Sequence, residues 1–291
     1  MKLFFKKYKF YLIPYIILLL ILTITFINHN NWYNKHIESI NEIINECKSE
    51  NISIERKEYC ENIIKNANTN KDYYYTVSEL ESGLNKVYPF IFIFISFPVL
   101  YYVCNMFKSR VVNYELTRQN YKTFRKKLLM NSYKSSLLMI IIYLTIVITS
   151  YIYCNGFIAS TEYIPNNVSN PYTFILINSF KILVLSLTYV NISLIVARQN
   201  HKLYISLILS LLLFYGIELL SGYFVGTLLL DRVFNLNISN SISIYNLFVN
   251  DLTHPLVHII YPLFMFILTI FIMNYMYKSK EKLVIDCDKN N

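Results

Sequence analysis

Six long apolar stretches separated by polar connections constrain this chain: 10–27, 87–107, 136–154, 173–197, 203–223 and 256–277. Each is close to the roughly 20 residues that an α-helix, rising about 1.5 Å per residue, needs to cross about 30 Å of hydrocarbon. A lone segment in lipid must bond its own backbone groups, and the helix does so. The predicted fold class is therefore all-α: a polytopic membrane protein with six transmembrane helices. Composition agrees, because 55% of the 291 residues are hydrophobic and 15% charged, more apolar surface than a soluble core absorbs.

Charge orients the spans. The connection 108–134 carries Lys108, Arg110, Arg118, Lys122, Arg125, Lys126, Lys127 and Lys134 against a single acid, Glu115. Short loops rich in Lys and Arg stay on the side from which the chain inserts. Lys2, Lys6, Lys7 and Lys9 before the first span, Arg198 and Lys202 between the fourth and fifth, and Lys278, Lys280, Lys282 and Lys289 in the tail fall on that same side. Both termini are thus expected in the cytoplasm, with the chain multi-pass in the plasma membrane, probed first by a basic N-terminus and a retained first anchor (1–27) rather than by a cleaved signal.

The formal charge of +9 does not point to nucleic acid. The basic residues bracket apolar runs instead of forming a groove interleaved with aromatics. Five glycines and no G-x-x-x-x-G-K-[ST] or G-x-G-x-x-G run leave no phosphate-cradling loop. No nucleophile has a positioned base and no Cys-x-x-Cys is present, so no cofactor, metal or catalytic residue is expected.

The extracytoplasmic segment 28–86 is helical in period. Ile37, Ile40, Ile44 and Cys47 share one face; Cys60, Ile63, Ile64 and Ala67 mark a second helix. Ser78 and Glu81 have capping-box spacing, which predicts a third helix opening at Ser78. Together these form a small helical cap over the outer mouth of the five further spans (87–291). Cys47 and Cys60 lie on the oxidising side, so a disulfide between them is open if the helices pair with an offset.

Three sets of side chains stand out. Lys181 lies 17 residues from Arg198 and Glu218 lies 16 from Lys202, so the two sit at similar depth in spans four and five. They either form an ion pair inside the bundle or separately reach the outer headgroups and water. Asp251, His254 and His258 have i, i+3, i+7 spacing, which suits a divalent-metal site, but also an N-terminal cap with interfacial imidazoles because Pro255 marks the first turn. In the basic connection, Leu116, Tyr121, Phe124, Leu128 and Leu129 alternate with Arg118, Lys122, Arg125, Lys126 and Lys127, an amphipathic helix for anionic lipid or for a docked protein.

With the N-terminal MKLFFKKYKFY and the loop SRVVNYELTRQNYKTFRKKLLMNS, the chain resembles the permease subunits of type-two ABC exporters. The resemblance implies six spans with both ends inside, and an amphipathic element ahead of span one. It also implies a coupling helix between spans two and three, and short re-entrant helices between spans five and six, here within 224–255. It implies an ABC ATPase subunit as partner, a second copy or a related permease as dimer mate, and Glu115, Arg118, Tyr121, Lys122 and Phe124 as docking contacts. The alternatives are a non-transporting immunity, sensor or assembly protein that recognises partners through its outer helices, and a membrane enzyme resting on the His pair.

Overall fold

The computed structural model describes residues 2–47, 71–109, 111–158, 170–244, 247–248 and 254–278, and their side chains except those of 2–11, 88, 89 and 240. Among these the chain is helical, without a strand. The helices are α1 (Lys2–Cys47), α2 (Tyr73–Asn85), α3 (Tyr88–Lys108), α4 (Val111–Arg118), α5 (Tyr121–Tyr153), α6 (Pro171–Gln199), α7 (Leu203–Glu218) and α8 (Val257–Met276). Six of them, α1, α3, α5, α6, α8 and α7 with its continuation to Val233, are long and apolar enough to cross a membrane. This is a polytopic all-α membrane protein.

The first span does not stop where its composition turns polar. After Pro14 no glycine or proline occurs before Cys47, so nothing removes a backbone donor or relaxes the chain, and α1 runs unbroken across Asn28. Its outer face shows Ile13, Ile16, Leu20, Ile24 and Ile27, each more than half exposed. That stripe of three- and four-residue steps is the surface a helix offers to lipid.

α6 is the axis of the bundle. Its apolar window is 83% buried, against 22% for α1 and 17% for the span built on α7, and it packs against α3, α5, α7 and α8. Every residue from Thr188 to Arg198 is buried. Small hydroxyl residues make this close approach possible while feeding their own hydrogen bonds back into the helix: Ser186 to Ile182 O (2.6 Å), Thr188 to Val184 O (2.9 Å) and Ser193 to Tyr189 O (2.9 Å).

The polar connections sort to two ends. At one lie Lys108, Arg118, Lys122, Lys127, Arg198, Lys202 and Lys278, where the chain passes between α3, α4 and α5, between α6 and α7, and out of α8. Cross-links there include Tyr121 Oη donating to the Tyr277 carbonyl, Tyr277 Oη to Leu194 O (2.9 Å), and Phe107 stacked on His201 at 4.2 Å. At the opposite end α2 packs on α1 and α5, with Tyr73 N bonded to Ile158 O (2.7 Å) and Tyr153 Oη to Asn30 Oδ1 (2.9 Å).

α2 begins earlier than the capping-box spacing predicts. Asp72 is its N-cap, accepting from Tyr75 N at 2.8 Å, and Ser78 is an exposed residue inside the helix. Asp72 wins because an Asp at the helix start answers a free N–H with a charge that the helix dipole also favours. Glu81 is thereby released from capping and turns into the bundle.

Beyond Glu218 the fifth span widens into a π-helix, Leu219–Val233. The following turn carries Asn235 and Asn237 at positive φ, a conformation Asn tolerates. Asp231 Oδ1 accepts from Ile238 N (2.7 Å) and Ser239 N (3.1 Å). The chain then dives back, and Ile242, Ile244, Leu247 and Phe248 are all buried.

Cys47 is disulfide-bonded; its predicted partner Cys60 lies outside the described residues. Cys104 and Cys154 are buried free thiols.

Candidate functional site

At the basic end, α4 is a short bridge between two spans. Val112 and Leu116, one turn apart, are buried against the bundle. Tyr114 and Arg118 face out, with the Arg118 guanidinium 3.8 Å above the Tyr114 ring. Glu115 accepts from Gln119 and pairs with Lys127 of α5 at 3.1 Å. Asn120 caps α5. Beneath α4 lies a cavity of about 210 Å³ lined by Tyr102, Met106, Val111, Glu115, Phe124, Lys127 and Leu128. The helix is therefore held to the bundle by Val112 and Leu116 and to α5 by the Glu115–Lys127 pair, with the cavity left between it and its neighbours.

The five predicted docking residues separate. Arg118 and Lys122 are exposed, and Glu115 is in part, although already engaged. Tyr121 is half-buried and tied to the end of α8. Phe124 is corrected: it is 2% exposed and stacks on Tyr121, so it is core and not a contact surface. The reason is the direction of the amphipathic face. Phe124 and Leu128 fall one turn apart on the side of α5 that meets α3 and α4, which leaves the charges outside. Val111 and Tyr114, exposed and apolar beside Arg118, are contacts the sequence reading passed over.

Inside the bundle, Glu218 and Lys181 each have a neighbour the sequence reading did not name. Glu218 Oε1 accepts from Ser243 Oγ (2.7 Å) and Oε2 from Ile244 N (2.8 Å), while Tyr189 Oη donates to the Ile244 carbonyl. Tyr189 stands ten residues from Gln199, about 15 Å of helix, and Glu218 fifteen residues from Leu203, about 22 Å, so the returning segment reaches deep into the span region. Lys181, 2% exposed, acts electrostatically on Glu81 of α2. Glu81 was legible only as a cap, because its partner is a hundred residues away.

His258 is buried in the first turn of α8, and His254 precedes the helix. Their predicted companion Asp251 lies outside the described residues. No group of three or more metal-ligating side chains occurs among the described residues.

Comparison of the chain with protein-family models, with curated proteins and with solved structures gives no match.

Proposed function

We propose that this chain is the membrane-spanning permease subunit of an ATP-driven exporter of the type-two ABC kind, docking a separate ATPase subunit through α4. The observation that carries the reading is the bridge itself: a short helix at the basic end, held to both flanking spans, with Arg118, Lys122, Val111 and Tyr114 on its free surface. A lever of this form transmits a push from a soluble motor to two spans at once. The segment that returns between spans five and six adds support, since the class carries re-entrant helices there.

In this reading the basic end and both termini face the cytoplasm, and a second copy or a related permease completes the path. ATP binding in the partner favours one arrangement of the spans through its tighter binding to the closed motor. Hydrolysis is the partner's chemistry; this chain contributes contacts.

Two measurements test it. The tagged chain, expressed with its genomic neighbours and purified in detergent, is expected to bring an ATPase with it, and Arg118→Glu with Lys122→Glu is expected to lower that yield about tenfold or more by opposing charges at the contact. Phe124→Ala, by contrast, lowers thermal stability and leaves capture per folded molecule unchanged. Full capture by the double charge reversal removes the docking claim. For orientation, a membrane-impermeant maleimide applied to intact cells is expected to label Cys47 only after reduction, and Lys122→Cys only after permeabilisation. The opposite pattern inverts the topology and ends the reading.

A further inference from the structure

We propose that Glu81 is a proton-binding site, enclosed by α2, α5 and α6, whose proton keeps α2 seated against α1. This does not rest on the permease reading, and its tests need no ATPase.

The geometry is a cluster of polar groups with bonding capacity left over. Glu81 is 1% exposed, and its Oε2 has no hydrogen-bond partner. The Tyr73 hydroxyl, on the same helix, is fully buried and likewise has none. Tyr143 of α5 and Tyr73 both feel the Glu81 charge, and Lys181 of α6 pulls in the other direction. A buried carboxylate with an oxygen left unbonded is costly as an anion, and it takes a proton instead. Burial accordingly pushes the Glu81 carboxyl well above the usual carboxylate range, against the opposing effect of Lys181. Burial also pushes the Tyr73 phenol up, with Glu81 adding to it.

Among the described residues, three titratable groups act on Glu81 or respond to it. From α6 comes Lys181, from α5 Tyr143, and from α2 itself Tyr73. Tyr74 and Cys154 act on Tyr73. On the α1 side α2 meets Leu22 and Thr25, beside Leu80 and Gly83, neither of which titrates, and the imidazole of His29, whose Nε2 lies 3.3 Å from Thr76 Oγ1 and whose ring lies beside Tyr75 and Trp32. Lys181 is the cation that an ionised Glu81 would turn toward, and that turn draws α2 toward α6 and away from α1.

The sign of the linkage follows. The folded state holds this proton more tightly than the unfolded chain does, so the stabilisation is complete below the usual carboxylate range. It is lost as pH rises from there through the folded-state value. Glu81→Gln, which keeps shape and a neutral head, removes that alkaline loss.

The molecule carries its own reporter of the seat. Trp32, the single tryptophan, lies on α1 with its ring 5.5 Å from that of Tyr75 on α2. Ionisation of Glu81 is expected to shift Trp32 emission.

The experiment uses the full chain in detergent, titrated from neutral to alkaline pH. Infrared spectroscopy with carboxyl-labelled glutamate is expected to show a protonated-carboxyl band at neutral pH that is missing in Glu81→Gln. Above its midpoint the band falls about tenfold per pH unit, and Trp32 emission shifts with the same midpoint. Dicyclohexylcarbodiimide, which reacts with protonated carboxyls in apolar surroundings, is expected to label Glu81 in proportion to the band. Lys181→Met shifts the midpoint upward. If the band assigned to Glu81 is absent at neutral pH, the carboxyl is ionised and the site does not exist. If the band titrates while Trp32 emission stays constant, the coupling to α2 is wrong.

Discussion

Glu218→Leu is expected to release the returning segment 239–248 from the bundle. Leucine keeps the bulk and apolarity of a span residue, so helix propensity and lipid contact stay as they are. What disappears is the acceptor for Ser243 Oγ and for Ile244 N. In a bundle surrounded by lipid an unpaired backbone N–H has no water to fall back on, and hydrogen bonds to a charged acceptor contribute about 1.5–3 kcal/mol each. A loss on the order of 3 kcal/mol corresponds to roughly a hundredfold higher population of the open segment. Leu247→Cys, at a position 1% exposed, makes this measurable: maleimide labelling is expected to be about a hundredfold faster in the Glu218→Leu background. Glu218→Gln, which keeps a carbonyl acceptor, should fall between. Gly222→Ala tests the same contact sterically, because a Cβ there would lie 3.4 Å from the Ile242 carbonyl and crowd the Glu218 carboxylate itself. Unchanged labelling in Glu218→Leu would mean that Tyr189 and the apolar side chains hold the segment without the carboxylate.

The spans were legible because length and apolarity are local properties. Three of the six expected stretches fall inside the helices that form them, 87–107 and 136–154 overrun α3 and α5 respectively by one residue at one end, and 256–277 overruns α8 by one residue at each end. What the pattern could not give was their relative burial. α6 and α7 read almost alike as apolar runs, yet one is the axis and the other faces out over most of its surface, a difference made by the partners each helix meets. The segment 239–248 was opaque for a related reason. Its run of Ser and Asn reads as a loop, and the burial of Ile242 and Ile244 depends on Glu218, Tyr189 and Asp231 supplying partners for a backbone that follows the 3₁₀ turn Ser239–Ser241.

The candidate sites divide along the same line. Arg118 and Lys122 were readable, since charge at a loop surface is a matter of sequence. Phe124 was misassigned because an alternation of apolar and basic residues shows that a helix has two faces and not which one the bundle covers. Glu81 was placed in a capping box by spacing alone, whereas Asp72 takes the cap and Lys181, far along the chain, takes the carboxyl's field. Local spacing thus misplaced even a cap whose partner, Tyr75 N, is three residues away, and it carried no sign of the distant Lys181.

Gly83→Leu is expected to part α1 from α2. A Cβ built at Gly83 would stand 2.9 Å from Thr25 Cβ and 2.5 Å from its Cγ2, distances at which one backbone has to retreat. Thr25 cannot swing aside at no cost, because its hydroxyl donates to Ile21 O at 2.9 Å and its branched Cβ is stiff within a helix. Overpacking of this kind costs about 1–3 kcal/mol, and a leucine that finds no cavity sits at the upper end. The loss should appear as a lower melting temperature in detergent and as altered Trp32 emission, since Trp32 reports the distance to Tyr75. The control is a reciprocal exchange: Thr25→Gly in the Gly83→Leu background returns the missing volume from the opposite helix. It should recover most of the loss, less about 1 kcal/mol for a glycine inside a helix. Recovery identifies the clash as the cause. A double variant no more stable than Gly83→Leu alone would show that α2 is seated by its contacts with α5 and α6, and that its approach to α1 is incidental.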